Sequence, residues 1–149
     1  MEGERAPGAA VQSQGRVLGL DLGQARIGVA LSDPARRIAV PIGTIHTGAP
    51  EDVKAIAALV REHEVSAIVV GHPLSMSGDA GEAADHAEKF AEALGGFLGI
   101  PVHLQDERLS TVQAERDLAA RGMRGRERRE VVDQTAATLI LQAYLDRTR

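Results

Sequence analysis

The feature that most constrains the fold of this chain is the apolar segment 16–32, which contains a single acid, Asp21. Its Val, Leu, Ile and Ala residues are interrupted mainly at 23–25, a pattern that predicts two β-strands joined by a tight turn. Alternation along the first strand places Asp21 on the same face as Val17 and Gly19. A buried acid is costly unless a cation or an ion pair compensates its charge. Asp21 is therefore the first candidate functional residue.

The composition indicates a sheet covered by helices. The 149 residues are 44% hydrophobic but include only two Phe, one Tyr and no Trp, so the core must be aliphatic. The absence of cysteine excludes disulfides and thiolate metal sites. No apolar run is long enough to cross a membrane, and residues 1–15 lack the apolar middle of a signal peptide. We therefore expect a cytoplasmic protein without a membrane partner.

The charge is distributed unevenly along the chain. The formal net charge of −4 argues mildly against nucleic-acid binding when it is taken alone. However, five arginines lie between Arg121 and Arg129, against one acid, Glu127. This segment predicts either a basic edge on an acidic body or a solvated loop, which is the usual state of a run of charges.

Beyond residue 32 the pattern alternates between strands and helices. Further strands are predicted at 37–42, 66–71 and 101–106, with helices that begin near 50, 79 and 110 and a last helix over 128–146. Pro41 indicates that the third strand lies at an edge of the sheet. In the helix that begins near 79, the residues expected to face the core are Ala83, Ala87, Phe90, Leu94 and Phe97.

This order of elements predicts an α/β fold. Three strands joined by short turns form an antiparallel meander, and the later strands, separated by helices, add in parallel. The result is a mixed five-stranded sheet, three antiparallel strands and then two parallel ones, with helices on both faces. We expect a disordered tail over 1–15 and one domain over 16–149.

Acids on three separate elements are candidates to meet at one end of this sheet. Asp21 lies on the first strand, Asp106 and Glu107 close the fifth strand, and Asp133 lies near the start of the last helix. Adjacent strand residues point to opposite faces, so Asp106 and Glu107 are not expected to reach one site together. Three oxygen ligands from separate elements suit a Mg²⁺ or Mn²⁺ site.

Each of these residues also has an ordinary structural interpretation. Asp21 fits a local turn as well as it fits a ligand, and Glu107 could pair with Arg108. Asp133 could complement the dipole of its helix, and His72 fits a surface loop beside Pro73. The three acids become persuasive only as a set.

Four segments of the chain, in order, resemble the motifs of the YqgF (RuvX) family of bacterial nucleases. The likeness covers nearly all of 16–146 and is far more specific than any one motif. The segments are the opening motif Asp21-Leu22-Gly23-Gln24-Ala25-Arg26-Ile27-Gly28-Val29-Ala30, the loop at 70–78, the motif Asp106-Glu107-Arg108-Leu109-Ser110-Thr111, and the last helix at 132–145.

The resemblance implies an RNase H-like fold and a metal-dependent nuclease. Its catalytic acids, which would also bind Mg²⁺ or Mn²⁺, would be Asp21, Glu107 and Asp133. The family is associated with maturation of the 5′ end of pre-16S rRNA, and it was earlier proposed to resolve Holliday junctions. Pre-16S rRNA, branched DNA and pre-ribosomal particles are therefore the expected partners, while a monomer and a homodimer both stay open.

In the mechanism that we expect, the acids bind one or two metal ions that hold the scissile phosphate and activate a water. Scarce aromatic residues predict recognition by shape and phosphate geometry rather than by base stacking. Residues of the first and third motifs and of the arginine-rich segment are expected to contact the nucleic acid: Arg26, Arg108, Ser110, Thr111, Arg124, Arg126 and Arg128.

Two other functional classes fit parts of the sequence. An ATP-binding domain of the actin and hexokinase type has a similar Asp-x-Gly hairpin, but it needs a second domain and a second phosphate loop. The 149 residues leave little room for these. A non-catalytic RNA-binding module of ribosome assembly is the other class, and the complete set of acids argues against it.

Overall fold

The computed structural model describes residues 15–74, 81–107 and 125–148. Within these ranges the chain forms five strands and three helices. In order they are β1 (Arg16–Leu22), β2 (Arg26–Ser32), β3 (Ala39–His46), α1 (Glu51–Glu62), β4 (Val65–His72), α2 (Glu82–Leu98), β5 (Val102–Asp106) and α3 (Gly125–Arg147).

The strands form one mixed sheet in the order β3-β2-β1-β4-β5. β1 pairs with β2, and β2 with β3, in antiparallel fashion, while β4 lies parallel to both β1 and β5. The predicted arrangement of three antiparallel strands followed by two parallel ones is thus confirmed.

The third strand lies at the edge, as predicted, but it begins and ends later than the predicted 37–42. It starts at Ala39 because the Asp33 carboxylate accepts hydrogen bonds from the backbone N–H groups of Arg37 and Ile38, at 2.7 and 2.9 Å, and holds them in the turn. Its pairing with β2 then continues past a register shift near Pro41 as far as His46.

The two faces of the sheet carry separate cores, and alternation along β1 divides its residues between them. One core packs Leu18 and Leu20 against α1 and α2, through residues such as Ile56 and Leu94. The other packs Val17 against α3. Helices therefore cover both faces, and Asp21 belongs to the face of α3.

The orientation of α2 differs from the prediction in one respect. Ala84, Ala87, Ala91 and Leu94 are its buried residues, whereas Phe97 is 67% exposed. Small alanine side chains let the helix lie close to the sheet, and the apolar stripe is therefore rotated away from Phe97.

Several predictions fall wholly or partly on residues outside the described ranges. They concern the disordered tail, of which only Gly15 is described, the helix near 110–120 and the first part of the arginine-rich segment. The last helix begins at Gly125, three residues before the predicted start at 128. No helix in the described part of the chain is long and apolar enough to span a bilayer.

Candidate active site

Glycines allow α3 to lie directly on the backbone of the sheet. A Cβ at Gly28 would overlap the backbone carbonyl oxygen of Asp133, and one at Gly19 would lie 2.8 Å from the Cβ of Leu141. Gly28 is the register partner of Asp21. The close approach therefore brings the turn of α3 that contains Asp133 next to the end of β1 that carries Asp21.

Glu107 reaches the same place from the end of β5. Its backbone N–H donates to the carbonyl oxygen of His72 at 3.3 Å, which fixes the chain just after the strand. A side chain at Gly71 would overlap the Oε2 atom of Glu107, so the bare backbone of β4 leaves room for this carboxyl group. Glu107 thus lies over β4 on the side that faces Asp21.

The carboxyl groups of Asp21 and Glu107 are joined by a hydrogen bond. Burial raises the pKa of Asp21 to about 6, and the negative charge of Asp133 adds to this shift. Burial also raises the pKa of Glu107 to about 8, helped by the charge of Asp21 and the hydrogen bond between them. The two groups therefore share a proton at neutral pH, because two carboxylates at contact distance cannot both ionise easily.

The third predicted acid, Asp133, has a different partner. Its Oδ2 atom accepts a hydrogen bond from the Nε of Arg26 at 2.8 Å, and the two side chains are 23% and 22% exposed. Sequence reasoning placed Arg26 on a substrate phosphate and did not predict this ion pair. A usable signal was present, since Arg26 precedes Gly28 by two residues and therefore faces α3 as well.

The site was expected to hold a divalent cation, and its donor atoms fit one in part. Across the described ranges, no group of three His, Cys, Asp or Glu side chains is arranged to hold a metal ion. However, the hydrogen-bonded carboxyl groups of Asp21 and Glu107 bring oxygen donors from two elements to one place. Oxygen donors of this kind suit Mg²⁺ or Mn²⁺, and a cation would take the place of the proton.

Four of the seven predicted nucleic-acid contacts fall outside the part of the chain that the structure describes. Arg108, Ser110, Thr111 and Arg124 lie outside the described residues. The backbones of Arg126 and Arg128 lie in the first turn of α3.

His72 is the last residue of β4 rather than a loop residue. Its Nε2 lies 2.7 Å from Oε2 of Glu88 on α2. It thus contacts the helix on the face of the sheet opposite α3, away from Asp21 and Asp133.

A cavity of about 370 Å³ opens beside Glu107, and sequence reasoning did not predict it. It lies between the β1–β2 turn and the start of α2. The hydroxyl of Thr47 donates to the carbonyl oxygen of Gly23 at 2.8 Å and so fixes one wall. The polar residues that line it with Glu107 are Gln24, Thr47, Glu82 and His86.

Comparison with known proteins assigns the chain to a family. Residues 15–147 match the family RuvX, described as Holliday junction resolvase. This chain belongs to the RuvX family. The resemblance inferred from its four motifs is thereby confirmed.

Two bacterial relatives of this RuvX-family chain illustrate the similarity, and both are named "Putative pre-16S rRNA nuclease". The protein from Anaeromyxobacter sp. strain Fw109-5 is 50% identical over 132 residues, which cover 88% of this chain and 96% of that protein. The protein from Thermobifida fusca is 51% identical over 140 residues, which cover 89% of this chain and 87% of that protein.

A solved structure supports the fold. This chain superposes on T. thermophilus RuvC in complex with Holliday junction substrate with a TM-score of 0.50 and 17% identity, covering 89% of this chain and 94% of that one. The predicted RNase H-like fold is thus confirmed. The names of the family and of its relatives all describe nucleases, which are hydrolases acting on nucleic acid.

Proposed function

We propose that this protein is a nuclease that hydrolyses phosphodiester bonds of structured nucleic acid, and that pre-16S rRNA is its substrate. The observation that carries the proposal is the contact between the carboxyl groups of Asp21 and Glu107, with Asp133 beside them. The substrate follows from the relatives, which share about half of their residues with this chain and are named for pre-16S rRNA.

Asp21 and Glu107 would hold a divalent cation, Mg²⁺ or Mn²⁺, and Asp133 is close enough to influence it through its charge. When it is bound, the cation would stabilise charge on the scissile phosphate and lower the pKa of an attacking water. The two carboxyl groups must lose their shared proton to bind it, because oxygen ligands bind a cation in their deprotonated form. In this proposal Asp21, Glu107 and Asp133 are the catalytic residues.

The remaining residues of the site would position the nucleic acid. Phosphates that flank the scissile bond would be neutralised by arginines and by hydroxyl groups after β5. The cavity beside Glu107 is within the size range of small-molecule pockets, and its mostly apolar lining includes a few polar side chains, so it could receive the part of the substrate next to the cleaved bond. The proposed phosphate contacts are Arg26, Arg108, Ser110, Thr111, Arg124, Arg126 and Arg128.

We place this activity in the cytoplasm, where the substrate would be pre-16S rRNA, either free or within pre-ribosomal particles. The enzyme could act as a monomer or as a homodimer. Branched DNA is the second candidate substrate, because the family is described as a Holliday junction resolvase and the fold is shared with RuvC.

The test is to incubate the purified chain with a pre-16S rRNA 5′-leader fragment and, in parallel, with a four-way DNA junction. Each reaction contains Mg²⁺, Mn²⁺ or EDTA. We expect metal-dependent cleavage of the RNA alone. Symmetric cleavage of the junction would favour the resolvase, and cleavage of neither would favour a non-catalytic assembly module.

A further inference from the structure

We propose that Arg26 is a positioning residue that holds Asp133 in the free protein and releases it when a divalent cation binds, so that its guanidinium can take a substrate phosphate instead. The inference rests on the proposed function. It starts from the hydrogen bond between Arg26 Nε and Asp133 Oδ2, 2.8 Å long, at the edge of the acid pair.

The backbones of the two partners are fixed, so only their side chains can exchange contacts. Arg26 is the first residue of β2, and its backbone pairs with that of His46 on the neighbouring strand β3. The main chain of Asp133 is packed against Gly28. Both side chains are about one-fifth exposed, at 22% and 23%, which leaves room for each of them to turn toward a new partner.

The charges around the acid pair make this exchange favourable. In the free protein Arg26 compensates the charge of Asp133, whose carboxylate lies near enough to Asp21 to interact with it electrostatically. A divalent cation on the pair would attract the Asp133 carboxylate, for which Arg26 is a direct competitor. Because the guanidinium of Arg26 and the metal ion compete for the Asp133 carboxylate, each weakens the binding of the other to it.

Once it is released, the guanidinium of Arg26 has a suitable second partner. A planar guanidinium binds the oxygens of a phosphate with two parallel hydrogen bonds, as it binds a carboxylate. Arg26 would therefore exchange the carboxylate for a phosphate of the substrate. This reconciles the observed ion pair with the phosphate contact expected from the sequence.

A purely structural role for the ion pair makes a different prediction. If Arg26 only fastened α3 to β2, its removal would loosen Asp133 and leave cation binding unchanged or weaker. If it competes for Asp133, its removal strengthens cation binding while it weakens substrate binding. Opposite changes in these two affinities are the signature of the proposed exchange.

The experiment is calorimetric titration of Mn²⁺ into the purified full chain without nucleic acid, comparing wild type with Arg26→Gln. We expect Arg26→Gln to bind Mn²⁺ about 10-fold more tightly. Arg147→Gln is the matched control. Arg147 contacts Gln105 and the ring of Tyr144 instead of the acid pair, so this variant should bind Mn²⁺ like wild type.

The same variants are then compared in RNA cleavage. Arg26→Gln should raise KM about 10-fold. It should also reduce the slope of log K for RNA binding against log salt concentration by about 1, the effect of losing one phosphate contact. Arg26→Lys keeps the charge but loses the planar donor group, so its Mn²⁺ affinity and its KM should lie between those of wild type and Arg26→Gln. It replaces Arg26→Gln in both assays if that variant does not fold.

Equal or weaker Mn²⁺ binding by folded Arg26→Gln would overturn the exchange while the nuclease proposal stands. A wild-type chain that binds no Mn²⁺, or Mn²⁺ binding that is unchanged in Asp21→Asn, would instead contradict the proposed metal site, and the exchange would fall with it.

Discussion

The backbone carbonyl of Asp133 lies so close to Gly28 that no side chain fits between them. Because Gly28 pairs with Asp21 across β1 and β2, this contact sets the distance between α3 and the acid pair. The position of Asp133, which we propose as a catalytic acid, thus depends on the absence of a side chain at Gly28.

Replacing Gly28 with Ala should push α3 away from the sheet. Overpacking of this kind costs about 1–3 kcal/mol, so we expect a loss of that size in the free energy of unfolding, measured by urea denaturation. Cleavage should also fall, since Asp133 moves with the helix. Gly96→Ala is the control: it faces open space on α2 and should be neutral or stabilising by up to about 1 kcal/mol. Equal stability of the two variants would show that the contact is not tight.

The shared proton should make the metal-free protein less stable as pH rises. Both pKa values are raised on folding, Asp21 to about 6 and Glu107 to about 8, so between pH 4 and 8 the folded chain holds protons that the unfolded chain has lost. The stabilising contribution is complete below the ordinary carboxyl pKa and is lost as pH rises through these values.

Glu107→Gln should therefore flatten this pH dependence in EDTA. At pH 8 it should be more stable than wild type by at least about 1 kcal/mol, the equivalent of one pKa unit. Thermal or urea unfolding at several pH values measures this. Glu92→Gln, at an exposed position of α2, should follow the wild-type curve. A Glu107→Gln curve parallel to that of wild type would argue against the raised pKa values.

Metal binding should release the proton that Asp21 and Glu107 share. Calorimetric titration with Mn²⁺ at pH 7 in two buffers of different ionisation enthalpy counts released protons, and we expect about one per bound ion. The number should fall toward zero as pH rises above 8, since Glu107 is then already ionised. Proton release that is absent at pH 7 would mean that the metal binds elsewhere.

His72 should matter little for cleavage. Its side chain contacts Glu88 of α2, and hydrogen-bonded pairs at partly exposed positions contribute at most about 1 kcal/mol. We expect His72→Gln to keep cleavage within about 2-fold of wild type, with a small loss of stability. A large loss of cleavage without a loss of stability would place His72 in the active site.

The sequence alone was sufficient to predict β1, β2 and the face on which Asp21 lies. Two apolar runs in 16–32 predict the strands, and the turn at 23–25 sets the boundaries, which agree with the observed strands. These are local properties. The meeting of Asp21 and Glu107 also follows from topology, because parallel strands end at one edge of the sheet.

Other features depend on packing that no local pattern records. The ion pair between Arg26 and Asp133 joins residues 107 positions apart, and it forms only because α3 lies on Gly28. The rotation of α2 was likewise missed. Ala87 and Leu94 of the predicted stripe are buried, but Ala83 and Phe97 are exposed, because the helix packs Ala84, Ala87 and Ala91 against the sheet.

The most direct test of the account is cleavage of the pre-16S rRNA 5′-leader fragment by Asp21→Asn beside wild type, in Mg²⁺ or Mn²⁺. We predict a loss of at least about 100-fold, the scale of an essential group in proton transfer and metal catalysis, with a melting temperature in EDTA equal to or above that of wild type. Cleavage within a few-fold of wild type by the folded variant would contradict the proposed role of the acid pair.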